Sequence, residues 1–284
     1  MSDGRNPGLR EEFSLLVSHD IDEDRISLER AALTIARTEY PHLDVERYIR
    51  VLDRLGRRVA ALLPSLADAQ QTIQCLNRVM FEEEGFSGNT EDYYDPRNSF
   101  LNDVLDRKVG IPITLALVYM EVAQRVGFPL FGVGMPGHFL LKHYDVDGRE
   151  TLIDAFQRGS ILTHEQCQQR LDHIYAGHLP LQPEFLHTVS RRQMLTRMLN
   201  NLRNIYLTRR DLRRALLVVD LVLAVYPRSP EDMKQRAQLR FALGQLRAAA
   251  DDFDTYVRMS PDASDADEVR QAALSIRRRL ALMN

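Results

Sequence analysis

Cysteine is nearly absent from this 284-residue sequence: Cys75 and Cys167 are the only two, far apart and without the spacing of a metal knuckle or a redox pair. A disulfide framework is thereby excluded, and a reducing compartment fits. Long apolar runs are missing too. None approaches the length of a membrane span, and the opening Met-Ser-Asp-Gly-Arg-Asn-Pro has no basic-then-apolar signal pattern. A cytoplasmic protein with no membrane contact is expected. Metal-ligand spacings, a phosphate loop and a dinucleotide fingerprint are also lacking, because Gly132, Gly134 and Gly137 lie too close to strands to form one. No metal or other cofactor is expected.

What is present is ordinary in bulk and uneven in layout. The 44% apolar and 27% charged content suits one large or two smaller globular domains. The net charge of −3 hides an asymmetry: residues 184–284 hold 18 of the 37 basic and 12 of the 40 acidic residues, so they carry +6 against −9 for the rest. Arg191, Arg192, Arg197, Arg203, Arg209, Arg210, Arg213 and Arg214 belong to this basic region. A nucleic-acid surface would need them on one exposed face, which helical spacing only partly allows. A solvated helix face is the plainer reading, and nucleic acid is not an expected partner.

From residue 11 to about 80 apolar residues recur at helical spacing, first Ile26, Ala31, Leu33 and Ile35, then Val51, Leu52, Leu55, Val59 and Leu62, with breaks at Pro41 and Pro64. Residues 84–99 are rich in turn formers and read as a long ordered loop leading to a helix over 100–106. Pro112 suits the first turn of the next helix and Gly127 the position just past its end. Between them Leu115, Val118, Tyr119, Val122 and Val126 form an apolar stripe, so this helix is buried. Strands follow over 130–133, 138–144 and 151–153, with Asp147-Gly148 as a hairpin signal. Residues 158–183 read as helical and then extended. The fold class is α+β, with helices packed on a small antiparallel sheet, over residues 1–183.

Residues 184–284 form an all-α region that repeats itself. Leu212-Arg213, Ala215, Asp220 and Pro227 recur as Leu246-Arg247, Ala249, Asp254 and Pro261, each 34 positions later. That period, with a helix pair per unit and a closing proline, is the tetratricopeptide signature. A helix over 191–207 opens the first unit and one over 265–280 caps the array.

His138 and Asp154 are the residue types that take and relay a proton in serine or cysteine acyl transfer. Side chains alternate along strands, so the two share a face only if the intervening loop has an odd residue count or a bulge. A structural His–Asp pair is the plainer alternative. The nucleophile of such a site belongs at the start of the buried helix, where the backbone N–H groups and positive dipole end lower a thiol's pKa. Pro112 stands there, and proline can neither attack a carbonyl nor donate a backbone hydrogen bond. The Thr114 hydroxyl is expected along the helix rather than toward the site. Cys75 lies in an apolar helical stretch and reads as packing. Ser99, or Asn98, reads as a helix cap. Asn98, Ser99, Asn102 and Thr114 are the candidate cleft residues.

At Gly85-Phe-Ser-Gly-Asn, Asn98-Ser-Phe-Leu-Asn, Gly110-Ile-Pro-Ile-Thr-Leu and Pro136-Gly-His-Phe-Leu the chain resembles the SirB1 family of bacterial proteins, from about residue 13 to 284. The resemblance implies a papain-like or transglutaminase-like domain followed by tetratricopeptide repeats, and an association with the regulation of bacterial invasion genes. Against active transglutaminase-like proteins, whose helix opens Gly-x-Cys, the cysteine column holds Pro112, the histidine column His138 and the aspartate column Asp154. Two readings follow. One is a non-catalytic regulatory protein whose remnant cleft recognises a peptide or side chain and whose repeats recruit a protein partner, with Arg203, Arg210 and Arg214 as contacts. The other is an amidase or peptidase in which His138 is the base and Ser99 or Cys75 arrives from another segment.

Overall fold

The computed structural model describes residues 7–282; the opening stretch and the outer ends of the divisions 1–183 and 184–284 lie outside the described residues. By internal packing the chain forms two compact units, Glu23–Met198 and a second made of the chain up to Asp22 with the chain from Leu199 onward. The sequence break was expected at 183/184. Past that point, however, the Val189 N–H donates to the Gly132 carbonyl at 2.8 Å and Thr188 bridges Val133, so this segment stays tied to the sheet of the first unit.

Helix α1 spans Pro7–Val17. Within Glu23–Met198, α2 (Leu28–Ala36), α3 (Val45–Leu62) and α4 (Ala69–Asn77) form the expected helical start. Their entries are set by caps: the Asp44 side chain accepts from the Arg47 N–H, and Asp68 and Gln71 make a reciprocal box. A π-helical turn, Arg78–Glu83, extends α4. The turn-rich stretch after it is less irregular than its composition suggests. Strand β1 (Ser87–Gly88) pairs in parallel with β2 (Val109–Gly110), and α5 (Leu101–Arg107) makes the crossover between them.

Helix α6 (Pro112–Gln124) is the centre of this unit, with Pro112 to Tyr119 and Glu121 to Ala123 buried. A helix apolar on nearly every face must be enclosed. Each buried aliphatic side chain contributes roughly 1.5–3 kcal/mol, which makes α6 a main source of core stability. Its end is closed by Gly127 (φ +72°), past which the Phe128 N–H donates to the Ala123 carbonyl at 3.0 Å.

Beyond α6 the strands β3 (Phe131–Val133), β4 (Leu140–Tyr144), β5 (Glu150–Asp154) and β6 (Ser160–Leu162) form one antiparallel sheet in chain order. The fourth strand lies where helix was expected, and α7 (His164–Tyr175) begins only after it, opened by a Thr163–Gln166 capping box. Three residues are too few to display a period of two. Leu140, Leu152 and Leu162, together with Val133 and Met135, form one core cluster with Cys167, Leu171 and Leu186.

Helix α8 (Arg191–Thr208) contains the point at which the units divide. In the second unit α9 (Leu212–Val225) and α11 (Leu246–Met259) begin and end 34 residues apart, with α10 (Pro230–Ala242) between them and α12 (Ala266–Leu282) after them. Helix α1 packs on α9. Arg236 is 7% exposed; its Nε and Nη2 donate to Asp252 at 2.8 and 2.7 Å and its Nη1 to Asp220 at 3.0 Å, fastening α10 to both flanking helices.

Candidate active-site cleft

The β4–β5 loop, Asp145–Arg149, has five residues, and Leu141 pairs with Ile153. Continued by one step, this register sets Asp154 opposite Leu140 and His138 diagonally beside it on the same face. His138 precedes β4 rather than beginning it. Its N–H donates to the Met135 carbonyl at 3.1 Å across a turn whose Gly137 has φ +68°. His138 Nε2 then lies 2.9 Å from Asp154 Oδ2.

Asp154 is fully buried, so its charge needs several partners. Oδ1 accepts from the Phe156 and Gln157 N–H groups at 3.0 and 3.2 Å, and Oδ2 also stands 3.0 Å from Arg170 Nη2. The turn that follows is clamped from behind. The Gly159 N–H donates to the Asp154 carbonyl at 2.8 Å, Asn77 Nδ2 donates to the Gly159 carbonyl at 3.0 Å, and the Tyr119 hydroxyl donates to Asn77 Oδ1 at 2.9 Å. On the other side, Arg197 Nη2 donates to the carbonyls of His138 and Met135 at 2.6 and 3.0 Å. The Phe156 ring meets His138 edge-on at 5.9 Å and occupies the space that a Cβ on Gly88 would need.

A cleft of about 610 Å³ opens over this pair, and Pro112 and His138 both line it. Its other wall is the polar side of α7, with Gln166, Gln169, Arg170 and His173. Among the described residues no cysteine or serine lines it. Cys75 is half-buried on α4, its thiol 3.6 Å from the Leu62 carbonyl. Cys167 belongs to the core cluster, and burial pushes its thiol up.

The four candidate cleft residues stand elsewhere. Asn98, Ser99, Asn102 and Thr114 are all buried, and none lines the cleft. Thr114 Oγ1 accepts the Ile111 N–H at 3.1 Å while its hydroxyl donates to the Asn98 carbonyl at 2.8 Å, which binds the loop to the start of α6. Asn98 Nδ2 donates to the Asp92 carbonyl at 2.7 Å, and its Oδ1 accepts from Asn89, which does line the cleft. Asn98 and Thr114 thus organise the loop behind the site, whereas Ser99 Oγ and Asn102 Oδ1 are buried without a hydrogen-bond partner among the described residues. Arg170 is the main residue that sequence reasoning missed. It stands on a helix whose polar side reads as solvated, and only packing turns that side to the cleft.

In the second unit Arg203 lines a hollow of about 290 Å³ and pairs with Asp232 at 2.6 Å, Arg214 pairs with Asp211 at 2.7 Å, and Arg210 sits exposed in the turn before α9 with φ +57°. Of the other arginines, Arg191 donates to the Ile26 carbonyl, Arg192 pairs with Glu23, and Arg197 holds the His138 turn, so they do not form a free basic stripe. Among the described residues no group of three or more His, Cys, Asp or Glu is placed to hold a metal ion, and no helix is long and apolar enough to cross a membrane.

The fold and this pair define a class, a transglutaminase-like domain followed by helical repeats. Residues 46–200 match the transglutaminase-like superfamily and residues 202–273 the tetratricopeptide repeat. A UPF0162 protein from Xylella fastidiosa (strain 9a5c) is 34% identical over 253 residues, which is 88% of this chain and 90% of that protein. Another from Vibrio cholerae serotype O1 is 28% identical over 252 residues, 87% and 92% of the two chains. The chain belongs to this UPF0162, SirB1-like family. Mouse F-box only protein 21 is 34% identical over 190 residues, 61% of this chain and 28% of that protein.

Proposed function

We propose that this chain is a binding and regulatory protein built on the frame of a thiol acyl-transfer enzyme. The observation that carries the reading is Pro112, which occupies the first turn of α6 and lines the cleft with His138, while among the described residues no cysteine or serine does so. Proline supplies neither a nucleophile nor an N–H for an oxyanion. The retained His138–Asp154 pair holds the floor of the cleft and offers a polar ring to a bound peptide or side chain. Tetratricopeptide repeats generally mediate contacts between proteins, and their concave faces suit extended peptides. We place the partner contacts at Arg203 in the hollow of the second unit and at the exposed Arg210 and Arg214.

The test is incubation of the full chain with a broad serine and cysteine hydrolase probe, beside His138→Ala and Cys75→Ala, read by intact mass. The wild type is expected to remain unlabelled. The second reading, an amidase or peptidase with a displaced nucleophile, draws on the intact 2.9 Å His138–Asp154 pair. Labelling of the wild type that disappears in His138→Ala establishes it and overturns the first.

A further inference from the structure

We infer that the cleft takes an extended peptide through a carboxylate, with Arg170 as its anchor; this rests on the binding reading above. Arg170 gives Nη2 to Asp154 at 3.0 Å, while its Nε is buried without a hydrogen-bond partner, and no other hydrogen bond or ion pair holds the guanidinium among the described residues. An arginine held at Nη2, with its side chain 25% exposed on the cleft wall, keeps a guanidinium edge free for a second acceptor. Charge-assisted bonds from a guanidinium to a carboxylate are the strong, directional choice.

The makeup of the walls points the same way. Arg170, His138 and His173 line the cleft and, among the described residues, no aspartate or glutamate does; Asp154 lies beneath, with both oxygens already engaged. A cationic ligand meets no countercharge on these walls, whereas a carboxylate meets several donors. Amides stand on both sides, Asn89 and Gln157 against Gln166 and Gln169, as alternating peptide N–H and C=O groups require. Tyr93 and the half-exposed Ile174 add apolar contact for the neighbouring side chains.

The carboxylate can be an aspartate or glutamate side chain or a peptide's free C-terminus, and the experiment separates them. Fluorescein-labelled positional-scanning hexapeptide pools, made both as C-terminal amides and as free acids, are titrated with the full chain and read by anisotropy. Pools fixed at Asp or Glu are expected to bind about tenfold or more tighter than those fixed at Asn or Gln. If the free-acid pools bind tightly whatever residue is fixed, the C-terminus is the source, and the inference stands. Arg170→Gln should bring the favoured pools down to the neutral ones. Because that variant removes a partner of buried Asp154, the exposed rim variant His173→Glu and the charge-keeping Arg170→Lys accompany it, the first expected to weaken acidic pools and the second to retain part of the preference. Equal binding of acidic and neutral pools with no gain for the free acids over the amides, or a preference untouched by both Arg170→Gln and His173→Glu, overturns the inference and leaves the binding reading standing. Absence of binding by every pool overturns it also, and labelling of the same sample by the hydrolase probe then shows that the binding reading has failed with it.

Discussion

His138 Nε2 and Asp154 Oδ2 stand 2.9 Å apart, and the same carboxylate oxygen is shared with Arg170 Nη2 at 3.0 Å. In acyl-transfer enzymes the carboxylate orients the imidazole and stabilises it when it gains a proton. Here a permanent cation stands at that same oxygen. The pair keeps the geometry of a catalytic dyad while its carboxylate is shared with a third side chain.

Pro112→Cys should create a reactive thiol. The position lies in the first turn of α6 and on the cleft wall shared with His138, where the helix dipole and imidazole favour a thiolate. In a Cys75→Ser background, iodoacetamide should modify the introduced thiol with a midpoint below the usual value of about 8.5, and adding His138→Ala should raise that midpoint. A midpoint unmoved by His138→Ala would separate the histidine from the helix start.

Gly159→Ala should destabilise the first unit by roughly 1–3 kcal/mol or more. Gly159 has φ +71°, and a Cβ there would overlap Asn77 Oδ1. Adding Asn77→Ala removes the overlap but not the backbone strain, so the cost of Gly159→Ala should shrink in that background without vanishing. Urea denaturation of the four proteins in this cycle measures it.

Stability should fall with rising pH between the ordinary carboxyl range and about pH 8. Burial, and then the neighbouring Glu29, push Glu121 up from 4.5 to about 8, against the pull of Arg125. Across that window the folded chain holds a proton that the unfolded chain has lost, so this contribution is full below pH 4.5 and disappears as pH passes the folded value. The slope for one proton is at most about 1.4 kcal/mol per pH unit. Glu121→Gln should flatten it, as read from urea midpoints across the window.

Arg236→Ala should cost about 3 kcal/mol or more, because it leaves Asp252, 5% exposed, and Asp220 without a shared buried cation. Arg240, which also reaches Asp252, offsets part of this. Thermal unfolding by circular dichroism gives the magnitude. Binding at the cleft, measured at a temperature where both proteins remain folded, is expected to change little.

Short-range patterns were legible wherever the contacts they report are near in sequence. The 34-residue repeat predicts α9 and α11 because each repeat packs on its neighbour. Pro112 and Gly127 mark α6 because helix ends impose local backbone demands. Strand β6 escaped notice because three residues carry too little periodicity, and α1 gave no sign that it packs on α9, nearly two hundred residues further on.

By itself, then, the sequence determined the α+β class, the repeat, the types and spacing of His138 and Asp154, and the proline, Pro112, that opens the buried helix. All of these follow from residue chemistry and local periodicity. Only the tertiary structure decided which polar groups face the cleft. It buried Asn98, Ser99, Asn102 and Thr114 behind the loop, and it turned Arg170 from an ordinary helix surface onto Asp154. A polar residue's pattern is the same whether it faces water, a cleft or a buried loop, and the difference lies in which distant segment packs against it.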